Sequence, residues 1–195
     1  MLINKLAFQL PAQLQWSEDE FFAFCEANSE LRIEQEPNGN IILMAPTGGT
    51  TGNVNSGLTA RLWLWNDDSK LGYTFDSSTG FRLENGAMRS PDAAWVEKSR
   101  YEALTEEQKA KFLPLAPDFI IGLRSSSDPL VPLQKKMLEW IENGVRLAWL
   151  IDPKSRNASV YRADGSIKIV EAGDAPHIIL NGEGVLPSFE LTYKF

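Results

Sequence analysis

One stretch of the chain constrains the fold more than any other, because a strand, a helix and a second strand follow one another there almost without a break. The run LAPDFIIGLRS is rich in aliphatic and aromatic residues, which is typical of a buried strand. Pro129 precedes a predicted helix from about Leu130 to Asn143, which Gly144 ends. The run VRLAWLID then reads as a strand that stops at Asp152. With the elements upstream, this order predicts a mixed α/β or α+β sheet.

Two helices are predicted upstream of this stretch. Ser17 is a good N-cap and Glu20, three residues later, completes a capping box, so the first helix runs from about Glu18 to Ala27. The second helix is predicted over about Asn53–Trp65. Asn55 lies near its start and is polar, although it is aligned with the apolar face. That face comprises Leu58, Leu62 and Trp65.

A hairpin is predicted between the two helices. The runs LRIEQE and IILMAP flank Pro37–Asn40, which has turn chemistry. In the first run the side chains alternate, so Ile33 faces the apolar side while Arg32 and Glu34 face outward. Glu34 is therefore expected on the outer face of its strand.

Shorter signals complete the order of elements. Strands are predicted over Tyr73–Thr79 and around Ser90–Val96, and a polar helix or loop over Tyr101–Lys111. The C-terminal part contains a predicted hairpin, Ala158–Glu171. Neither a repeat nor a linker interrupts the chain, so we predict a single domain over residues 1–195.

Composition and charge exclude several kinds of site. The net charge is −7, from 19 Lys and Arg against 26 Asp and Glu, whereas a protein that holds nucleic acid by bulk charge is usually basic. The chain should repel a duplex at long range unless a metal ion or a local basic patch intervenes. Cys25 and His177 are each the one residue of their kind, which excludes an intramolecular disulfide and a multi-histidine metal site. The sequence has no long apolar span and no signal peptide, so we expect a cytoplasmic protein without a membrane partner.

A carboxylate, a glycine and a lysine stand out within this pattern. Asp92 follows Pro91, which cannot donate a ladder hydrogen bond, so a strand starts or lies at an edge there. Gly122 is unusual inside a strand, because glycine weakens a strand and packs nothing. At roughly 100° per residue, Lys136 lies at the border of the apolar face of the following helix, near a cleft, whereas Lys135 points to solvent.

These residues carry a resemblance that covers about residues 14–186. The order RIE, PTGG, GNVN, GFRLENGAMRSPDAAWV, PDFIIGLRSSSD and LQKKMLEWIENGVRLAWLIDP resembles the Uma2 family of endonucleases, within the PD-(D/E)XK nuclease superfamily. The combination is specific, although a single PD dipeptide is not. The resemblance implies a restriction-endonuclease-like core: a central mixed sheet flanked by helices, with an N-terminal helix and hairpin and a C-terminal hairpin.

The resemblance also implies a metal site for phosphodiester hydrolysis. Asp92 matches the aspartate of the family's PD motif and, with Glu34 as an upstream acid, would hold Mg²⁺ or Mn²⁺. Gly122 stands where the family usually has a second metal-binding glutamate, so the cation would be bound more weakly. Three further residues match positions of the family. Lys136 matches the catalytic lysine, Arg124 stands where the superfamily usually has a lysine, and Asn55 lies near a polar position of the second helix.

Three hypotheses for the function follow. The resemblance favours a metal-dependent endonuclease acting on DNA, impaired at Gly122. Gly122 and the net charge favour the alternative, a catalytically degenerate nuclease fold that binds nucleic acid or a protein partner without cleaving it. The third hypothesis is an interaction protein that forms a homodimer through the exposed hairpin Ala158–Glu171.

Each candidate residue also has a purely structural interpretation, which the sequence leaves open. Asp92 could cap the start of its strand, and Glu34 could be a solvated charge on the outer face of its strand. Lys136 could lay its aliphatic stem along the border of its helix, and Asn55 could form a hydrogen bond at the start of its helix. Arg124 could form an ion pair with an acid such as Asp128.

Overall fold

The computed structural model describes residues 5–9 and 16–195, and its contacts divide the chain into two compact units. Unit 1 comprises the described residues up to Pro46, with Ser78–Ser90 and Leu104–Ala116; unit 2 comprises Thr47–Ser77, Pro91–Ala103 and Pro117–Phe195. The elements in chain order are β1 (Lys5–Phe8), α1 (Glu18–Ala27), β2 (Arg32–Gln35), β3 (Ile41–Met44), α2 (Gly49–Ser69), β4 (Gly72–Asp76), β5 (Phe81–Arg82), β6 (Met88–Arg89), β7 (Ala93–Glu97), α3 (Lys98–Glu102), α4 (Glu106–Lys109), β8 (Phe119–Leu123), α5 (Leu130–Glu142), β9 (Leu147–Asp152), β10 (Asn157–Arg162), β11 (Ile167–Glu171), β12 (His177–Asn181) and β13 (Glu190–Lys194).

Unit 1 is built on a five-stranded sheet with the order β1-β3-β2-β6-β5, in which all neighbours are antiparallel. The hairpin of β2 and β3 and the helix α1 are confirmed. The Ser17 hydroxyl accepts from the N–H of Glu20 and the Glu20 carboxylate accepts from the N–H of Ser17, which completes the capping box. The ring of Trp16 packs 4.6 Å from that of Phe24. One core cluster of this unit comprises Phe21, Ile33, Ile41 and Met88.

Unit 2 is built on a six-stranded sheet with the order β11-β10-β9-β8-β7-β4. β8 and β9 are parallel and all other neighbours are antiparallel. A parallel pair needs a crossover of a dozen or more residues, which α5 provides. The predicted mixed α/β sheet is therefore confirmed.

Helices cover both faces of the sheet in unit 2. Successive residues of a strand point to opposite faces, and Ile121 and Trp149 share a core with Leu58 and Leu62 of α2. The spacing of the apolar residues in α2 is thereby confirmed. Gly122, one residue on from Ile121, points to the face on which α5 packs.

The structure differs from the sequence-based expectations in several elements. α2 begins at Gly49, four residues before the predicted start, and the segment Tyr101–Lys111 holds the end of α3 and the whole of α4 rather than one element. The strands β1, β5, β6, β12 and β13 were not predicted, because they are short and their hydrogen-bond partners lie elsewhere in the chain. No helix within residues 5–9 and 16–195 is long and apolar enough to cross a membrane. The single domain over residues 1–195 stays a prediction.

Candidate active site

The candidate site lies in unit 2, where β7 begins beside the end of β8. The antiparallel register ends at the pair of Ala93 with Ile121, so Asp92 and Gly122 are the next residues of the two strands beyond that pair. The N–H of Asp92 donates to the carbonyl of Ile121 at 3.0 Å, which holds Asp92 beside the end of β8, just outside the regular ladder. The position of the family's PD aspartate and the position of its second acid therefore lie at the same end of the strand pair.

The carboxylate of Asp92 is bound into the sheet. Its Oδ2 accepts from the N–H of Leu123 at 2.7 Å. The side chain thus supplies an acceptor at the point where β7 begins, directly after Pro91, and β8 ends at Leu123. This bond is the cap on the strand start that the structural interpretation predicts. The role of Asp92 as a metal ligand stays a prediction.

A second Pro–Asp dipeptide, at Asp118, lies at the other end of the same strand pair. Its Oδ2 accepts from the N–H of Glu97 at 2.8 Å, and its N–H donates to the carbonyl of Trp95 at 3.0 Å. Asp118 is 1% exposed and forms ion pairs with Arg100 at 2.9 Å and Arg146 at 3.5 Å. Sequence reasoning did not single out this residue; the signal was the proline–aspartate pair that precedes each of the two strands.

Gly122 allows α5 to pack closely on the sheet. A Cβ at this position would lie 3.3 Å from Sδ of Met137 and 3.5 Å from Cδ1 of Leu150. The first distance is tighter than an ordinary van der Waals contact, so the flexible Met137 side chain would have to shift slightly. The expectation that Gly122 packs nothing is therefore wrong, because the space above it is filled from α5 and β9.

Lys136 lies on α5 directly before Met137. Its side chain is partly buried, whereas Lys135 is exposed, which confirms the predicted difference between the two lysines. Lys136 is thus held on the helix that packs over Gly122. Its catalytic role stays a prediction.

Arg124, directly after β8, is engaged in an ion pair. Its Nη1 lies 2.7 Å from Oδ2 of Asp152, and its Nε donates to the backbone carbonyl of Asp128 at 2.9 Å. The structural interpretation is thereby supported, although the ionic partner is Asp152 rather than Asp128. Burial alone would raise the pKa of Asp152, but hydrogen bonds from Arg124 and Ser155 outweigh it and hold that pKa below its usual value.

Glu34, in unit 1, is buried. It is 1% exposed, and its Oε1 accepts from the N–H of Ser90 at 2.9 Å while Oε2 lies 3.5 Å from Nη1 of Arg89. The expectation of an outward, solvated charge is wrong, because β2 is the central strand of its sheet and the side chains of Ile33, Glu34 and Gln35 are all covered. The metal-ligand role of Glu34 stays a prediction.

Asn55 lies inside α2 rather than at its start. The helix begins six residues earlier at Gly49, with Gly48 as its N-cap, so the interpretation of Asn55 as a helix-start hydrogen-bonder is wrong. Its Oδ1 is shielded from solvent and has no hydrogen-bond partner within the part of the chain that the structure describes. A buried carbonyl oxygen without a donor costs stability.

These groups supply few ligands for a Mg²⁺ ion. Mg²⁺ prefers six oxygen ligands at about 2.0–2.1 Å in octahedral geometry. In unit 2, Asp92 offers one carboxylate, one oxygen of which is used by Leu123, and the side-chain atoms nearest to position 122 are a sulfur and a methyl group. Among residues 5–9 and 16–195, no group of three or more His, Cys, Asp or Glu side chains could hold a metal ion.

Comparison with known proteins agrees with this geometry at the level of the fold. The model of the Uma2 family, described as "Putative restriction endonuclease", matches residues 18–194. No curated protein matches the chain. A solved structure, described as a putative nuclease belonging to DUF820 from Anabaena variabilis ATCC 29413, superimposes with a TM-score of 0.72 at 19% identity. The match covers 91% of this chain and 94% of that one, which shows a shared fold.

Proposed function

Because the chain belongs to the Uma2 family, we propose that it is a degenerate nuclease, which binds DNA on a nuclease fold without cleaving it. One observation carries this proposal. Gly122 lies beside Asp92 at the end of the β7–β8 pair, and Met137 and Leu150 fill the space above it where a second carboxylate is expected.

The missing carboxylate affects cleavage more than binding. Cleavage of a phosphodiester by such enzymes relies on a metal ion that activates water and neutralises charge on the scissile phosphate. Binding needs only cations placed near the backbone. Lys136 and the exposed Lys135 are adjacent on α5, where they would contact phosphates as point charges. The net charge of −7 opposes a duplex elsewhere on the surface, so we expect modest affinity with strong dependence on salt.

A second candidate function is the metal-dependent endonuclease itself. The observation that favours it is the position of Asp92, at the start of β7 and beside the end of β8, where residue 122 lies. In this case Asp92 would bind Mg²⁺ or Mn²⁺ weakly and Lys136 would stabilise the developing charge. Roles for Glu34, Arg124 and Asn55 in that reaction rest on the family resemblance alone.

The test compares the wild type with Gly122→Glu and with Gly122→Gln, which has the same shape without the charge. Each protein is incubated with supercoiled plasmid and with single-stranded DNA, in Mg²⁺ or Mn²⁺, and binding is followed separately by fluorescence anisotropy. We expect the wild type to bind without cleaving, Gly122→Glu to gain cleavage, and Gly122→Gln to remain inactive.

Two outcomes would contradict the proposal. Cleavage by the wild type that is abolished in Asp92→Ala would establish the second candidate instead. Absence of both binding and cleavage in the wild type and in Gly122→Glu would remove nucleic acid as the partner. Circular dichroism of each variant shows whether the substitution at position 122 has left the fold intact.

A further inference from the structure

The outer face of α2, opposite the buried Leu58 and Leu62, is exposed along the helix although it carries two large apolar side chains. At about 100° per residue, the residues within about 60° of Ala60 form one stripe on this face. Trp63 and Leu64 are 52% and 58% exposed, and adjacent apolar side chains of this size are typical of an interaction surface. Between its ends the outer stripe comprises Asn53, Ser56, Gly57, Ala60, Trp63, Leu64 and Asp67, all of them exposed.

The outer stripe has a low half and a high half. Gly57 lies inside the helix, and no described atom lies within 4 Å of a Cβ built at this position. Glycine weakens a helix interior because it loses the most backbone freedom on folding, and nothing packed against this position requires it. Ser56 beside it is also small. The stripe therefore presents a depression at Ser56 and Gly57 and, one to two turns later, a projection at Trp63 and Leu64.

We propose that the outer stripe packs against the same stripe of a second copy, with the two α2 helices antiparallel about a two-fold axis beside Ala60. This rotation brings Trp63 over Ser56 of the second copy and Leu64 over Gly57, because the two members of each pair lie on the same side of the stripe and at similar distances from the axis. Each projection then fills a depression, in both copies. The stripe requires a partner with large and small residues in the reverse order, and the same helix, turned end for end, provides it.

The charges of α2 select the same partner in the same orientation. Asp67 lies on the outer stripe in the last turn, where it opposes the negative end of the helix dipole and no basic residue accompanies it. Its ion pair with Lys70 is exposed and contributes little. At the other end, the first turn has no acidic residue and the N-cap is Gly48, which offers no side-chain acceptor to the free N–H groups. The two-fold axis brings Asp67 to Asn53 of the second copy, near this positive end, whereas a parallel pair would set Asp67 against its own counterpart.

The size of the contact sets the expected affinity. α2 has 21 residues and is therefore about 30 Å long. A contact of one helix from each copy buries less than the roughly 800 Å² per partner of a standard specific interface. We therefore expect a dimer that dissociates at a concentration on the order of 10–100 μM.

The test is sedimentation equilibrium of the full chain from about 1 to 300 μM, which brackets this dissociation. Trp63→Gln removes the projection and Gly57→Gln fills the depression. The matched control is Ile179→Gln, because Ile179 is 49% exposed on β12, outside α2. We expect wild type and Ile179→Gln to dimerise equally and the two α2 variants to associate at least tenfold more weakly.

Gly57→Gln separates loss of the contact from loss of the fold. It places a better helix former where the side chain meets open space. Its melting temperature at 1 μM should therefore equal or exceed that of the wild type, although its association is weakened. A purely structural role of position 57 would not give this combination.

Two further measurements test the orientation. Asn53→Asp sets two carboxylates against each other and should weaken the dimer, and the double variant Asn53→Asp, Asp67→Asn should recover it. In the Cys25→Ser background, Ala60→Cys should form an intermolecular disulfide under mild oxidation, because it faces its counterpart at the axis. Asp67→Cys should form none, because its counterpart lies about 21 Å away along the helix.

Four outcomes would overturn the proposal. They are a wild type that stays monomeric at 300 μM, a dimer that Ile179→Gln also disrupts, a disulfide through Asp67→Cys, and a dimer that survives Trp63→Gln and Gly57→Gln. The last outcome would direct attention to the exposed hairpin Ala158–Glu171 as the contact. None of these readouts depends on DNA binding or cleavage, so they stand apart from the proposed function.

Discussion

Asp92 and Asp118 make the same hydrogen bond at opposite ends of one strand pair. Each carboxylate accepts the N–H of the last residue of the neighbouring strand, Leu123 at 2.7 Å and Glu97 at 2.8 Å. Each aspartate also follows a proline and donates its own N–H to the ladder at 3.0 Å. The β7–β8 pair is thus clamped by two equivalent carboxylates, and Asp92 has a structural role whether or not the protein cleaves DNA.

The clamp predicts different effects for two substitutions at Asp92. Asp92→Ala leaves the N–H of Leu123 without its acceptor and should lower the free energy of unfolding by about 1–2 kcal/mol. Asp92→Asn keeps a carbonyl oxygen in place and should stay within about 0.5 kcal/mol of the wild type. Urea denaturation measures both. Equal stability of Asp92→Ala and the wild type would show that the bond contributes nothing.

The ion pair of Arg124 with Asp152 should be costly to break on one side. The two side chains are 11% and 3% exposed, so Arg124→Met would leave a buried carboxylate unpaired and cost about 3–5 kcal/mol. The double variant Arg124→Met, Asp152→Asn should recover part of that loss. A double-mutant cycle measured by denaturation gives the coupling, and additive effects of the two substitutions would contradict this assignment.

The same pair predicts a loss of stability in acid. Burial is outweighed by the bonds from Arg124 and Ser155, so the pKa of Asp152 lies below its ordinary value of 3.8. The unfolded chain therefore takes up this proton first as the pH falls. The contribution of the ionised Asp152 to the free energy of unfolding is present in full well above pH 3.8. It is lost as the pH falls below that value and through the folded-state pKa. The difference in free energy of unfolding between wild type and Asp152→Asn should therefore shrink between about pH 5 and pH 2, and a difference that stays constant would contradict the lowered pKa of Asp152.

Asn55 predicts a stabilising substitution. Its buried Oδ1 has no donor among the residues described, so Asn55→Leu should raise the free energy of unfolding by about 1 kcal/mol. Asn53→Leu, at an exposed position of the same helix, is the matched control and should change it little. Thermal and urea denaturation give both values. Destabilisation by Asn55→Leu would indicate that the oxygen is satisfied in solution.

Cys25 should react slowly with thiol reagents. Burial raises its pKa to about 11, although Arg82 acts in the opposite direction. Because the thiolate is the reactive form, labelling at pH 8 should be on the order of 100-fold slower than for an unfolded cysteine. The rate of labelling in buffer and in denaturant checks this, and similar rates in both would contradict the assignment.

Much of the fold could be predicted because its signals are local. The capping box of Ser17 and Glu20 and the glycine that follows α5 depend on residues a few positions apart. The candidate site was predictable only in part. Asp92 and Gly122 were singled out by their strands and lie at the same end of the β7–β8 pair, whereas the second clamp at Asp118 was missed because its partners come from other elements.

The sequence by itself determined α1, α5, the longer strands and the apolar faces of α2 and α5, because capping, turn chemistry and apolar periodicity act within a few residues. Only the tertiary structure decided what the polar side chains do. Glu34 accepts from a residue 56 positions away, Asp92 from one 31 away, and Arg124 pairs with an acid 28 away. The order of strands in the two sheets sets these distances, and burial then turns each of these charges into a structural partner, since a charge removed from water needs a partner beside it.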